Sequence, residues 1–166
     1  MNALFSGTNM QIDANPFVFE CELARTALVI IDMQRDFIEP RGFGESLGND
    51  VSLLLAIVPA TQSVLRAWRG KGGLVVHTRE AHRPDLADCP PASPNPARPT
   101  LRIGDPGPMG RILVAGERGN QIIDALAPIG GEIVIDKPGK GAFYATGLQS
   151  PLQQPGIRSV VFMRVS

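Results

Sequence analysis

The run Thr26-Ala27-Leu28-Val29-Ile30-Ile31 is followed at once by an acid, in Asp32-Met33-Gln34-Arg35-Asp36-Phe37. The unbroken apolar stretch from Ala27 to Ile31 is too short for a membrane span and too continuous for a strand with one wet face. It suits a parallel strand covered by helices on both sides. Ligands of open α/β sheets bind at the carboxyl ends of the strands, so Asp32 belongs at the mouth of the sheet. The same position also suits an acid that caps a loop or pairs with a cation, and the residues alone leave both readings open.

With 166 residues, one domain with one sizeable core is expected. Hydrophobic residues make up 43% and charged residues 19%, which fits a folded globular chain and not a disordered one. Lys plus Arg and Asp plus Glu number 16 each, so no basic excess points to nucleic acid and no charge run points to a membrane surface. Two cysteines, Cys21 and Cys89, make no disulfide framework, and no CxxC or HExxH spacing calls for a metal. The N-terminus lacks a basic segment followed by an apolar one, and the apolar stretch Leu53 to Ala60 is too short to cross a bilayer. A cytoplasmic location is the resulting expectation.

Along the chain, residues 1–25 read as an irregular lead-in to which Ile12 or Phe17-Val18-Phe19 could add a short strand. Asn49 or Asp50 can cap a helical turn reaching Ile57, and Pro59 fits the first turn of a longer helix. That helix carries Val64, Leu65 and Trp68 and stops at Gly70, Gly72 and Gly73. Leu74-Val75-Val76-His77-Thr78 is a second strand, delivering Arg79, Glu80 and His82 to the ligand-facing edge. Residues 84–110, rich in proline and glycine, read as a long ordered loop. Within it Cys89 stands beside Asp88, and an adjacent acid opposes thiolate formation. Ile112-Leu113-Val114 reads as a brief strand, and Asn120 starts a helix carrying Ile122, Ile123 and Leu126. A third strand, 132–137, brings Lys137 to the same edge as Asp32. Thr146 can cap a short helix with Leu148 and Leu152, and Ser159-Val160-Val161-Phe162-Met163 is a fourth strand. Alternating strands and helices imply a parallel sheet in an α/β fold. No strand is followed by GxGxxG or GxxxxGK[ST], which leaves nucleotide binding unsupported.

Four segments together resemble the isochorismatase-like cysteine hydrolases. They are Ile31-Asp32-Met33-Gln34-Arg35-Asp36-Phe37; Val76-His77-Thr78-Arg79-Glu80-Ala81-His82-Arg83-Pro84-Asp85; Gly104-Asp105-Pro106-Gly107-Pro108-Met109-Gly110; and Ile135-Asp136-Lys137-Pro138-Gly139-Lys140-Gly141-Ala142-Phe143. Within that superfamily the chain is most similar to the biuret and ureidoacrylate amidohydrolase and N-carbamoylsarcosine amidase group. The resemblance implies a three-layer Rossmann-like fold with a parallel sheet and an Asp-Lys-Cys triad that cleaves a linear C–N bond of a small amide or ureido substrate. It implies no cofactor and no resident metal. It places the acid on Asp32, not Asp36, the lysine on Lys137, not Lys140, and Phe37 at the wall of the substrate pocket. A homo-oligomer is implied as well.

The family's nucleophile lies in a Gly-Val-Thr-Thr-x-Val-Cys loop after the fourth strand. Met163-Arg164-Val165-Ser166 reaches the start of that loop, with Arg164 in place of the usual glycine, and the cysteine falls beyond Ser166. The resemblance therefore implies a single isochorismatase-like domain over 1–166, incomplete at its C-terminus and without the family's last strands and helices. Strand 159–163 is then expected at an edge of the sheet, with apolar side chains exposed.

Overall fold

The computed structural model describes residues 3–6, 9–89, 101–153 and 156–164. The chain opens with β1 (Ala3–Ser6), β2 (Asn9–Ile12) and β3 (Phe19–Glu22), a three-stranded antiparallel sheet in that order. This corrects the irregular lead-in expected over residues 1–25. The reason is alternation: along β2, Met10 and Ile12 are buried while Asn9 and Gln11 face solvent, and both apolar side chains join the main core.

The elements that follow are β4 (Thr26–Ile31), α1 (Arg35–Ile38), α2 (Phe43–Ser46), α3 (Val51–Leu55), α4 (Val58–Gly70), β5 (Leu74–Glu80), the two-residue strands β6 (Pro106–Gly107) and β7 (Gly110–Arg111), β8 (Ile133–Lys137), α5 (Gln149–Leu152) and β9 (Ser159–Arg164). The central sheet is four-stranded and parallel in the order β8-β5-β4-β9. The chain runs from β4 through β5 to β8 on one side, then crosses back to place β9 on the other side of β4. That reversal makes a switch point between β4 and β9, where α/β sheets open a ligand crevice at the strand ends.

β4 is covered on both faces, as its apolar run predicts. Leu28 and Ile30 pack with Leu65 and Trp68 of α4, with Met10 and Ile12, and with Ile38. Val29 packs on the other face with Val76 and Leu148. Two covered faces and a parallel sheet make a three-layer α/β fold. Asp50 caps α3 by accepting from Ser52 N at 3.0 Å, and Pro59 stands in the first turn of α4, both as the sequence indicates. After α4 the chain turns tightly, and Gly73 is required there because a β-carbon would collide with the indole of Trp68. By length and composition the joined stretch Val51–Gly70 is apolar enough to cross a membrane, which the shorter Leu53–Ala60 is not. In this fold its Thr61, Leu65 and Trp68 face is buried in the protein.

Three further expectations are corrected. β5 runs on to Glu80. Ile112, Leu113 and Val114 are buried but form no strand; Leu113 has a left-handed backbone (φ 55°), and only an isolated bridge joins His82 to Val114. The helix expected from Asn120 is a single 3-10 turn, Asp124–Leu126. Backbone groups just ahead of it are engaged by other segments, with Ile123 N donating to Met33 O at 3.0 Å and Gln121 O accepting from Arg35 N at 2.9 Å. Prolines 90, 91, 94, 96 and 99 of the expected long loop lie outside the described residues. Among the described residues β9 is paired on one side only, by β4, and its Phe162 is 51% exposed.

Candidate active site

Asp32 follows the last residue of β4. Its N–H donates to Thr78 O at 3.0 Å, which prolongs the ladder by one bond, and its backbone then turns left-handed at φ 54°. Asp tolerates this region better than most residues, since its short polar side chain can bond locally. Each carboxylate oxygen is engaged. The hydroxyl of Thr78 donates to Oδ1 at 2.9 Å, and Lys137 Nζ stands 2.7 Å from Oδ2. Lys137 is the last residue of β8 and is fully buried. Its ammonium also donates to Gly139 O at 2.9 Å. Burying an ammonium is costly unless it is paired and hydrogen-bonded, and both conditions are met here. The lysine is sealed, whereas the Asp32 side chain keeps 18% exposure and is the end of the pair open to solvent.

Behind the pair lies a polar clamp that the sequence does not reveal. Gln34, fully buried, accepts from Glu80 N at 2.7 Å through Oε1 and donates through Nε2 to Glu80 O and Asn120 O, both at 3.0 Å. Asn120 Nδ2 donates to Glu80 O at 2.8 Å. Both backbone groups of Glu80 are therefore fixed by side chains from elsewhere in the chain. In the sheet register Glu80 stands opposite Lys137, and Glu80 Oε2 lies 3.9 Å from Lys137 Nζ.

An acid and an ammonium thus meet at the carboxyl end of a parallel sheet, next to its switch point. Residues 26–163 match the isochorismatase domain as a protein family. The chain belongs to the isochorismatase family. Its fold is shared with a cysteine hydrolase from Pseudomonas syringae, at TM-score 0.68 and 25% identity over 88% of this chain and 62% of that one. It is shared with an isochorismatase family protein from Desulfovibrio vulgaris, at TM-score 0.66 and 29% identity over 86% of this chain and 67% of that one. The N-carbamoylsarcosine amidase from Thermoplasma acidophilum matches at TM-score 0.59 and 26% identity over 84% of this chain and 67% of that one. The family is hydrolytic. The chain spans 62% of the length of the Pseudomonas cysteine hydrolase.

The remaining candidate residues of this family member separate by environment. Asp36 is buried and its Oδ2 accepts from Leu113 N at 3.3 Å; burial pushes its carboxyl up, against the pull of N–H groups of Leu113 and Phe43. A β-carbon on Gly119 would strike this carboxylate, so the two positions fit only with glycine. Lys140 is exposed while Lys137 is buried. Phe37 stands on α1 and is half-buried against the main core cluster. Cys21 packs against the same cluster from β3. The Cys89 thiol is pushed up by burial first and then by the charges of Asp88 and Glu80. His82 is buried, its ring nitrogens 4.0 Å from Glu80 Oε1 and 3.7 Å from Asp88 Oδ1, too far for hydrogen bonds. Among the described residues no three His, Cys, Asp or Glu side chains group to hold a metal ion.

His77 belongs to a different network, on the α4 side of the sheet. Its Nε2 lies 3.0 Å from Glu132 Oε2, and Arg69 of α4 grips Glu132 at 2.7 Å and 2.8 Å. Burial lowers the His77 imidazole, so the neutral ring donates its Nε2 proton to the carboxylate. Burial acts to raise Glu132, but Arg69, Ile129 N–H and His77 outweigh it and hold the carboxyl at about 2, from an ordinary 4.5. The unfolded chain takes up this proton near pH 4.5 and the folded chain only near 2, so Glu132 contributes its full stability above about 4.5 and loses it as pH falls toward 2. Urea unfolding at a series of pH values is expected to show this fall, and Glu132→Gln to flatten it; an unchanged slope in the variant contradicts the linkage. A cleft of about 560 Å³ opens beside this network, lined by Arg69, Glu132 and Gly73 among others. It lies by the start of β5, at the other end of the strands from Asp32, and its two charged groups are spent on each other.

Proposed function

We propose that this chain supplies the acid and the lysine of a cysteine hydrolase that cleaves a linear C–N bond in a small ureido or carbamoyl compound. The observation that carries the proposal is the Asp32 Oδ2 to Lys137 Nζ contact of 2.7 Å at the ligand-facing end of the sheet. A second point of geometry supports it. Ile31 pairs with Arg164 in the sheet, so a chain continuing from β9 emerges beside Asp32. The nucleophilic thiol is proposed to stand in that continuation, beyond Ser166. Neither cysteine in residues 1–166 suits the role, since Cys21 packs against the core and Cys89 is held in its thiol form.

In the proposed reaction Asp32 takes the thiol proton while sulfur bonds to the substrate carbonyl carbon. The carbonyl oxygen becomes an oxyanion, held by backbone N–H groups next to the nucleophile. Collapse of this intermediate breaks the C–N bond, and Asp32 returns the proton to the leaving amine. Water then adds to the carbonyl carbon of the S-carbamoyl (thiocarbamate) intermediate, giving its proton to Asp32. The C–S bond breaks, and the proton passes back to sulfur. Lys137 orients the acid and favours the ionised thiol. Phe37 is assigned to the wall of the pocket. The substrate is a small molecule, and the active form is a homo-oligomer.

The test is ammonia release from biuret or from an N-carbamoyl amino acid, using the product of the coding sequence read past Ser166. Asp32→Asn is expected to lower kcat by about 10²–10⁴, the usual worth of a general base. Cys89→Ser is expected to leave it unchanged. Full turnover in Asp32→Asn, or its loss in Cys89→Ser, contradicts the proposal.

A further inference from the structure

Lys137 has one more charged neighbour than an acid–lysine pair requires. Its fully buried ammonium makes hydrogen-bond contacts to Asp32 Oδ2 and Gly139 O, and on another side Glu80 Oε2 lies 3.9 Å away. That separation is too long for a hydrogen bond and well within reach of an ion pair. Glu80 is held there deliberately by the fold. Its N–H and C=O are clamped by Gln34 and Asn120, two fully buried amides, and strand register sets it opposite Lys137. The cations nearest in sequence do not compete for it, because Arg79 grips Asp136 at 2.7 Å and Arg83 meets Asp85 at 2.8 Å. The other oxygen of Glu80 faces the buried ring of His82 at 4.0 Å, with Asp88 on the far side of that ring.

We propose that Glu80 is a positioning residue, the second counter-ion of Lys137, which keeps the ammonium charged and in place while Asp32 carries a proton. This rests on the reading of Asp32 as the proton carrier. When Asp32 takes a proton it becomes neutral, and a lysine with no access to water loses its first counter-charge. A buried cation without a counter-charge gives up its proton or moves. Glu80 prevents both, and it does so without touching the substrate's reacting atoms. The ammonium is then still charged when Asp32 returns its proton to the leaving amine.

The test reads the ammonium itself, by nitrogen-selected NMR of the lysine NH₃⁺ protons in the full chain. A buried, paired ammonium exchanges its protons with water slowly, and loss of a carboxylate neighbour makes it release them more readily. Exchange at Lys137 is expected to accelerate severalfold or more in Glu80→Gln, with Glu80→Asp between the parent and Glu80→Gln. Asp32→Asn is expected to accelerate it as well. A parent-like rate in Glu80→Gln, alongside acceleration in Asp32→Asn, overturns the role of Glu80 and leaves the Asp32–Lys137 pair standing. A parent-like rate in all three overturns both. If Glu80→Gln does not fold, Glu80→Asp decides alone, since a rate equal to the parent's contradicts the proposal. In the turnover assay Glu80→Gln is expected to lower kcat about tenfold or more at unchanged KM, with partial recovery in Glu80→Asp.

Discussion

Asp32→Ala is expected to lower the unfolding free energy by about 3–5 kcal/mol, the usual cost of removing one partner from a buried ion pair. The cost arises on the lysine. Lys137 is fully buried, and without Asp32 its partners among the described residues are Gly139 O at 2.9 Å and Glu80 at 3.9 Å. Alanine also loses the local side-chain hydrogen bonding with which Asp32 tolerates its left-handed backbone at φ 54°, a further, smaller cost. Asn tolerates that backbone and keeps the hydrogen-bond shape, so Asp32→Asn is expected to cost less than Asp32→Ala. Lys137→Met removes the buried charge along with its need for a partner, and a double variant Asp32→Asn with Lys137→Met should be more stable than Asp32→Asn alone. Urea midpoints for the four proteins close the cycle. Additive losses across it would mean that the 2.7 Å contact carries no coupling energy.

What could be read from the sequence follows from how locally each feature is determined. The continuous run Ala27–Ile31 needs both faces covered, and both are. The helix with Val64, Leu65 and Trp68 buries its Leu65 and Trp68 and packs Val64 against the core, because its period is set by the helix itself. Asp32 and Lys137 stand at the ends of their strands, and parallel strands bring those ends to one edge whatever lies between. The failures lie where long-range bonds displace local preference. The stretch 120–126 carries helical spacing, but its backbone groups are engaged by Met33 and Arg35 across the chain. The stretch 112–114 reads as a strand by composition, yet it is buried as a turn around Leu113.

The lead-in shows a related limit. Its β2 carries only two inward apolar residues, Met10 and Ile12, and so short an alternation is a weak signal until the core that receives it is known. β9 shows the converse. Its apolar residues were legible as a strand, and register explains why they are unequally covered: Val161 and Met163 fall beneath the α4 layer, while Phe162 falls on the opposite face and is half exposed. The difference between those neighbours comes from the extent of each covering layer. No property of the residues themselves encodes it.

Gln34→Leu is the second large effect expected, a loss of about 2–5 kcal/mol. Leucine fills much of the same space and is more hydrophobic, so the loss must come from the groups it abandons. Glu80 N–H, which donates to Gln34 Oε1 at 2.7 Å, and Asn120 O, which accepts from Gln34 Nε2 at 3.0 Å, would both be left without that partner. Each unsatisfied buried group costs about 1–3 kcal/mol. Glu80 O is less affected, since Asn120 Nδ2 still donates to it at 2.8 Å. Gln121 is the control. It is exposed, and Gln121→Leu should change stability by less than about 0.5 kcal/mol, as surface substitutions usually do. The fold sets Gln34 between two chain segments and Gln121 in water. The loss should also reach the site, because releasing Glu80 frees the strand end that faces Lys137. Lysine ammonium exchange in Gln34→Leu should therefore quicken together with the fall in urea midpoint. A variant that loses stability while Lys137 exchanges at the parent rate would show that the clamp supports the fold alone.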